Sequence, residues 1–158
     1  MSGYSVEIIP VDAWYVPTAR QASAAETLFE GIVAPLVHSS WVGPLFEVAT
    51  TNKPQFVSCL GNFDGVDCPR CGAALDLDWW SERMDADYDG EGFRLAPFDL
   101  PCCRVRANLD ELRYDRSQGF ARYVISCRDP PFGELTDEQL ASIGAALGCR
   151  VRQICTRI

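Results

Sequence analysis

The chain is poor in the residues that carry most acid–base and phosphate chemistry. It contains one histidine, His38, and one lysine, Lys53, beside 13 arginines. No glycine-rich phosphate loop, dinucleotide fingerprint, H-E-x-x-H pair or G-x-S-x-G elbow occurs in it. His38 stands next to Ser39 and Ser40, but without an elbow or a placed acid that is weak ground for a hydrolase. Runs of about 18 apolar residues are also missing, which excludes a membrane-spanning helix. The opening residues, Met1-Ser2-Gly3-Tyr4-Ser5, lack a basic stretch followed by an apolar core, so the expected address is the cytoplasm.

Clustered positive charge is scarce too. The net charge is -8, with residues 1–67 at -5, residues 68–100 at -5 and residues 101–158 at +2. Phosphate binding needs grouped Lys and Arg, so nucleic acid is disfavoured as a partner. Only the last third, through Arg104, Arg106, Arg113 and Arg116, offers a basic face for that alternative. The preference for arginine over lysine reads as a codon or lineage bias and carries little functional information.

What the chain does have is cysteine, eight in 158 residues. In a reducing compartment, close cysteine pairs bind metal or do redox chemistry more often than they form disulfides. Cys59, Cys127, Cys149 and Cys155 lie in apolar, strand-like surroundings and are expected to be buried thiols acting as small hydrophobes. The other four form two pairs, Cys68/Cys71 and Cys102/Cys103, separated by 30 residues.

Zinc takes four soft ligands in a tetrahedron, and a Cys-x-x-Cys turn supplies two of them. In Cys68-Pro69-Arg70-Cys71-Gly72, Pro69 stiffens the turn and Gly72 permits the positive φ that aims backbone N–H groups at the thiolates. These five residues resemble the zinc-ribbon and rubredoxin-type knuckle, CPxCG, and the resemblance implies a structural zinc site with no open coordination position. A CPxCG knuckle followed by a later Pro-Cys-Cys also resembles small bacterial proteins that carry both. The second pair departs from the ribbon pattern: Leu100-Pro101-Cys102-Cys103-Arg104 has adjacent cysteines, which both reach one ion only if the backbone turns there. Pro101 favours such a turn; Cys59 or His38 stands as the alternative fourth ligand. Cys-Pro-x-Cys is also the thioredoxin-type redox motif. That reading needs an apolar strand before the motif and a helix after it, whereas Asp64-Gly65-Val66-Asp67 precedes it and Gly72 follows.

Around this constellation the pattern predicts one α+β domain over residues 1–158, with 61–108 as a zinc-binding insert. Residues 5–16 read as a strand interrupted at Pro10, at an edge or a bulge. A helix is expected from about Ala19 to Ala34, capped by Thr18 with Gln21, and another after Thr136 with Gln139, ending at Gly148. Gln55–Leu60, Phe93–Leu100, Phe120–Cys127 and Cys149–Ile158 read as strands, 75–83 as a short helix carrying Trp79 and Trp80, and Gly61–Gly65 as a turn. Residues 35–54 are turn-rich and hard to read. The two ends share a plan of strand, proline-containing loop, Thr-x-x-Gln cap and helix. Two such units on a common antiparallel sheet give a sandwich of ferredoxin-like character with two packed helices.

Asp85-Ala86-Asp87-Tyr88-Asp89-Gly90 opens like a calcium loop, but the eighth and twelfth loop positions hold Gly92 and Ala96, so a solvated acidic loop is expected instead. Trp79 and Trp80, with Met84 and Tyr88 at helical spacing, could form an aromatic patch for a partner, but one of the tryptophans is expected instead to cover the insert's own small core. Functionally the chain reads as a structural-zinc protein that binds another protein, with an immunity or antitoxin-like role as one form, because acidic proteins of this size neutralise basic targets by charge complementarity. The alternatives are an enzyme using a groove around His38, Trp41 and the insert, and a nucleic-acid-binding zinc ribbon.

Overall fold

A computed structural model of the chain describes residues 3–58, 64–115 and 117–157. Cys59, the strand end at Leu60, most of the turn before the first knuckle, Arg116 and Ile158 lie outside the described residues. In chain order the elements are β1 (Tyr4–Pro10), α1 (Ala19–Val33), β2 (Glu47–Val57), β3 (Val66–Asp67), α2 (Leu77–Asp87), β4 (Phe98–Asp99), β5 (Arg106–Ala107), β6 (Arg113–Tyr114), β7 (Gly119–Arg128), α3 (Asp137–Leu147) and β8 (Val151–Arg157).

The four long strands make one antiparallel sheet in the order β2-β7-β1-β8. With α1 between β1 and β2 and α3 between β7 and β8, this is the ferredoxin-like β-α-β-β-α-β arrangement that the duplicated plan predicts. Both helices pack on one face. Ala25, Phe29 and Val33 of α1 and Ile143 and Leu147 of α3 meet Val6, Ile8, Tyr123, Ile125 and Cys127 in a single apolar cluster. Phe29 sits at its centre, edge-on to Phe46 at 5.0 Å and to Phe132 at 6.3 Å. Cys127 is buried there, while Cys149 and Cys155 are half-buried at its margin.

Local chemistry fixes the helix ends as expected. Thr18 Oγ1 accepts from the Gln21 N–H at 3.2 Å and the Gln21 side chain accepts from the Thr18 N–H at 2.8 Å. Thr136 and Gln139 repeat the reciprocal pair at 3.1 and 2.9 Å. Each box satisfies two amides that a helix start leaves without partners, contributing about 1 kcal/mol. Gly148 ends α3 at φ 80°, where a side chain would be strained and would also strike the Gln21 amide.

Three expectations need correcting. β1 is an interior strand between β7 and β8, not an edge, because Val6, Ile8 and Ile9 are all buried; Pro10 closes the strand rather than interrupting it. The strand expected at Gln55 begins at Glu47, eight residues earlier; its first half is an exposed sheet edge with little apolar signal. Of the expected strand from Phe93 to Leu100, only Phe98–Asp99 is extended in a ladder, and Phe93 makes an isolated bridge to Tyr88.

The residues between β2 and β7 form a second core. Val66, Cys68, Leu75, Phe93, Leu95, Leu100, Leu109 and Leu112 are buried together, and Phe120 of the sheet joins them. Trp79 and Trp80 lie half-buried over this cluster: Trp79 meets Phe98 edge-on at 5.6 Å, and Trp80 Nε1 donates to the Tyr114 hydroxyl at 3.3 Å. β3 pairs with β6 and β4 with β5, so strand pairing in this region runs past residue 108. The register of β2 against β7 shifts between Thr50 and Gln55. At that bulge the Pro54 carbonyl accepts from the Phe93 N–H at 2.9 Å and Gln55 Nε2 donates to the Glu91 carbonyl at 2.7 Å. The interrupted ladder thus becomes the seat of the acidic loop.

Candidate metal centre

The sulfurs of Cys68, Cys71, Cys102 and Cys103 all lie within 4.8 Å of one another. Cys68 and Cys103 are 3.7 Å apart, and Cys71 and Cys102 are 3.5 Å apart. A tetrahedral ion with metal–sulfur bonds of about 2.3 Å separates its ligands by about 3.8 Å, so the cluster fits a four-thiolate site. Such an ion supplies a cross-link between two stretches of chain that are distant in sequence. His38 is not part of the group: its Nδ1 is 2.6 Å from the Ser40 hydroxyl. The adjacent cysteines therefore both reach the cluster, and His38 is not needed to complete it.

The first knuckle is built as its sequence predicts. The Arg70 and Cys71 N–H groups point at the Cys68 sulfur, at 3.3 and 3.4 Å. The Gly72 N–H donates to the Cys68 carbonyl at 3.1 Å, and the Cys68 N–H to the Ala73 carbonyl at 2.9 Å. Gly72 has φ 77° with open space where a side chain would be, so glycine is there for backbone conformation and not for room.

The second knuckle has the same hydrogen bonds 32 residues later. The Arg104 N–H donates to the Leu100 carbonyl at 2.8 Å, and the Leu100 N–H to the Val105 carbonyl at 3.0 Å. Asp67 bridges Ala74, and Asp99 pairs with Arg106 at the same offset. Arg104, at the place of Gly72, takes φ 61°. Leu100 thus stands where Cys68 stands and is equally buried, Pro101 where Pro69 stands, and Cys103 where Cys71 stands. Cys102 matches Arg70. This explains how neighbouring cysteines converge: the backbone turns through them as it turns through Arg70 and Cys71. Sequence reading missed the equivalence because the first cysteine and the glycine of the motif are both replaced. The signal that could have found it is the fixed spacing of Asp67/Asp99, Pro69/Pro101 and Cys71/Cys103.

Close packing of the four sulfurs couples their titration. Burial alone would raise the Cys68 thiol, but the backbone N–H groups of Cys71 and Arg70 and then the neighbouring thiols outweigh it and bring the pKa down to about 6. Cys102 moves the other way, up to about 12, through desolvation and then the crowding thiols of Cys71, Cys68 and Cys103. These opposite shifts belong to the group of thiols as a whole and reflect how closely the four pack.

The remaining candidates are placed elsewhere. Asp87 is buried and accepts the Leu95 and Ala96 N–H groups at 2.7 and 3.0 Å, holding Leu95 at φ 53°. Asp89 bonds Lys53 and accepts the Glu91 and Gly92 N–H groups at 3.0 and 3.2 Å. Asp85, Asp89 and their neighbours are exposed as expected; Asp87 is the exception, and it and Asp89 organise the backbone around them. His38 and Trp41 line a pocket of about 130 Å³ with Val33, Leu45, Cys127 and Pro131. Among the described residues, its lining includes none from 64–108. Arg104, Arg106 and Arg113 are exposed. No helix among the described residues is long and apolar enough to cross a membrane. No family model, curated protein or solved structure matches the chain.

Proposed function

We propose that Cys68, Cys71, Cys102 and Cys103 hold one structural zinc ion, and that the chain works in the cytoplasm as a protein-binding module of the immunity or antitoxin kind. The observation that carries the zinc reading is the cluster of four sulfurs at tetrahedral spacing, one of them served by two backbone N–H groups. Four thiolates, with no oxygen or nitrogen donor among the described residues, suit zinc better than the hard cations, and four protein ligands are the mark of a structural site. The ion ties the two knuckle hairpins together and so fixes residues 61–108 as an insert on the sheet. The partner reading rests on the net charge of -8, which complements a basic protein surface and speeds encounter with it.

Elemental analysis of protein purified without added metal tests the first part: one zinc per chain with sulfur-only coordination by X-ray absorption is expected, and metal-free native protein refutes it. Affinity capture from the native host tests the second. A stoichiometric basic protein released by salt is the expected result, and capture of no protein refutes it.

A further inference from the structure

The geometry points to Cys102 as an exchangeable corner of the metal centre, where an external thiolate replaces the protein sulfur while Cys68, Cys71 and Cys103 keep the ion. The inference rests on the zinc reading above and goes beyond it in giving a structural site a binding position.

The argument starts from the matched knuckles. In the first, the ligands come from the first and fourth positions of the turn, Cys68 and Cys71. The backbone serves the first of them: two N–H groups aim at the Cys68 sulfur, and Gly72 lets the chain turn immediately after Cys71. In the second, the fourth position is again a cysteine, Cys103, but the first is Leu100, whose side chain is buried in the surrounding core. Its missing thiolate is made good from the third position, which in the first knuckle belongs to Arg70, an exposed residue outside the sulfur cluster. Cys102 is exposed likewise, whereas Cys68 is fully buried. Among the described residues, the contacts of the Cys102 sulfur are with the other sulfurs and no backbone N–H is aimed at it. Among the described residues none is aimed at the Cys71 or Cys103 sulfur either, so what sets Cys102 apart is that it combines exposure with the third position of the turn, which the first knuckle leaves outside the cluster. Cys71 is exposed as well, yet it occupies the fourth position that both knuckles use.

The step is a ligand exchange without redox change. The bond from the ion to the Cys102 sulfur breaks and one to the external sulfur forms. The proton of the incoming thiol ends on Cys102, which leaves as a neutral thiol, so charge at the ion is conserved. The ligand class is a small thiol or an exposed cysteine of another protein.

The test uses the full chain loaded with cobalt(II), whose visible spectrum reports tetrahedral thiolate number, with β-mercaptoethanol as the probe. Cys102→Ser and Cys102→Ala are expected to retain one cobalt per chain, with affinity lowered on the order of 10- to 100-fold, and to regain the four-thiolate spectrum on adding the thiol. Cys68→Ser is expected to lose the metal altogether. Limited iodoacetamide treatment of metal-loaded wild-type protein, mapped by mass spectrometry, is expected to modify Cys102 before Cys71; this second measurement needs no variant to fold. The inference is overturned if both Cys102 variants lose cobalt as fully as Cys68→Ser, if added thiol leaves their spectra unchanged, or if Cys71 is alkylated first. Wild-type protein that binds neither cobalt nor zinc is a distinct outcome, and it removes the zinc reading along with the exchange.

Discussion

On the helix-covered face of the sheet, strands of 7 to 11 residues and helices of 11 and 15 residues close around one apolar cluster. Between β2 and β7, by contrast, no described strand exceeds two residues, although the core there holds as many buried side chains. The first region repeats a local rule many times, so that propensity, caps and burial agree at each step. The second depends on single contacts: two tryptophans laid over the core, Asp87 gathering two amides, and four sulfurs drawn to one point. Order that comes from many small agreements survives the loss of one; order that comes from a few junctions does not.

The largest test of that division is removal of the metal. Cys68→Ser, or chelation of the wild type, is expected to abolish metal retention, forfeiting much of an apparent binding free energy that reaches roughly 10–16 kcal/mol in small zinc modules. Hydrogen exchange should then rise across the knuckles and the signal of Trp79 and Trp80 should change, while β1, β7 and both capped helices stay protected. Equal loss of protection in the two regions would show that they are not separable. Acid offers the same test reversibly. Desolvation, and then the neighbouring thiols, favour the protonated form of Cys102, so the ion must displace that proton, and metal affinity is expected to rise with pH and weaken as pH falls. A competition titration with a chromophoric chelator at several pH values reads the slope.

Phe29→Ala attacks the other region. Emptying the centre of the helix-covered cluster is expected to cost about 3–5 kcal/mol, by the same amount with and without chelator, in urea denaturation followed by far-UV circular dichroism. Smaller is Arg104→Gly. A residue with a side chain is strained at φ 61°, and glycine relieves that at some entropic cost, leaving a net gain of about 0.5–1 kcal/mol in metal-loaded protein by the same measurement. Smallest is Tyr123→Phe: the Tyr123 hydroxyl is buried with no hydrogen-bond partner among the described residues, so its removal should shift stability by less than about 0.5 kcal/mol, toward greater stability.

Legibility followed the same division. Thr18/Gln21, Thr136/Gln139 and Gly148 announced the two long helices because a cap is a local contract between residues three apart, and the α+β plan followed from its repetition. Cys68 and Cys71 were legible for the same reason, since their turn needs only five residues. The long reach of β2 was hidden because the strand lies at an edge and bulges between Thr50 and Gln55, breaking the alternation that reveals a strand. Leu95 and Asp87 meet only through the folded loop, so nothing in the sequence near either of them predicts the contact. The second knuckle kept its backbone and changed its chemistry, which a motif search does not see.

One pairing has a practical use. Lys53, the sole lysine, leaves the bulge of β2 to bond Asp89 of the acidic loop, and its side chain is about one-third exposed. Amine-directed acylation of the side chains therefore has a single target, and its rate registers whether the acidic loop is seated on the sheet. The molecule carries its own reporter for the junction between its two halves.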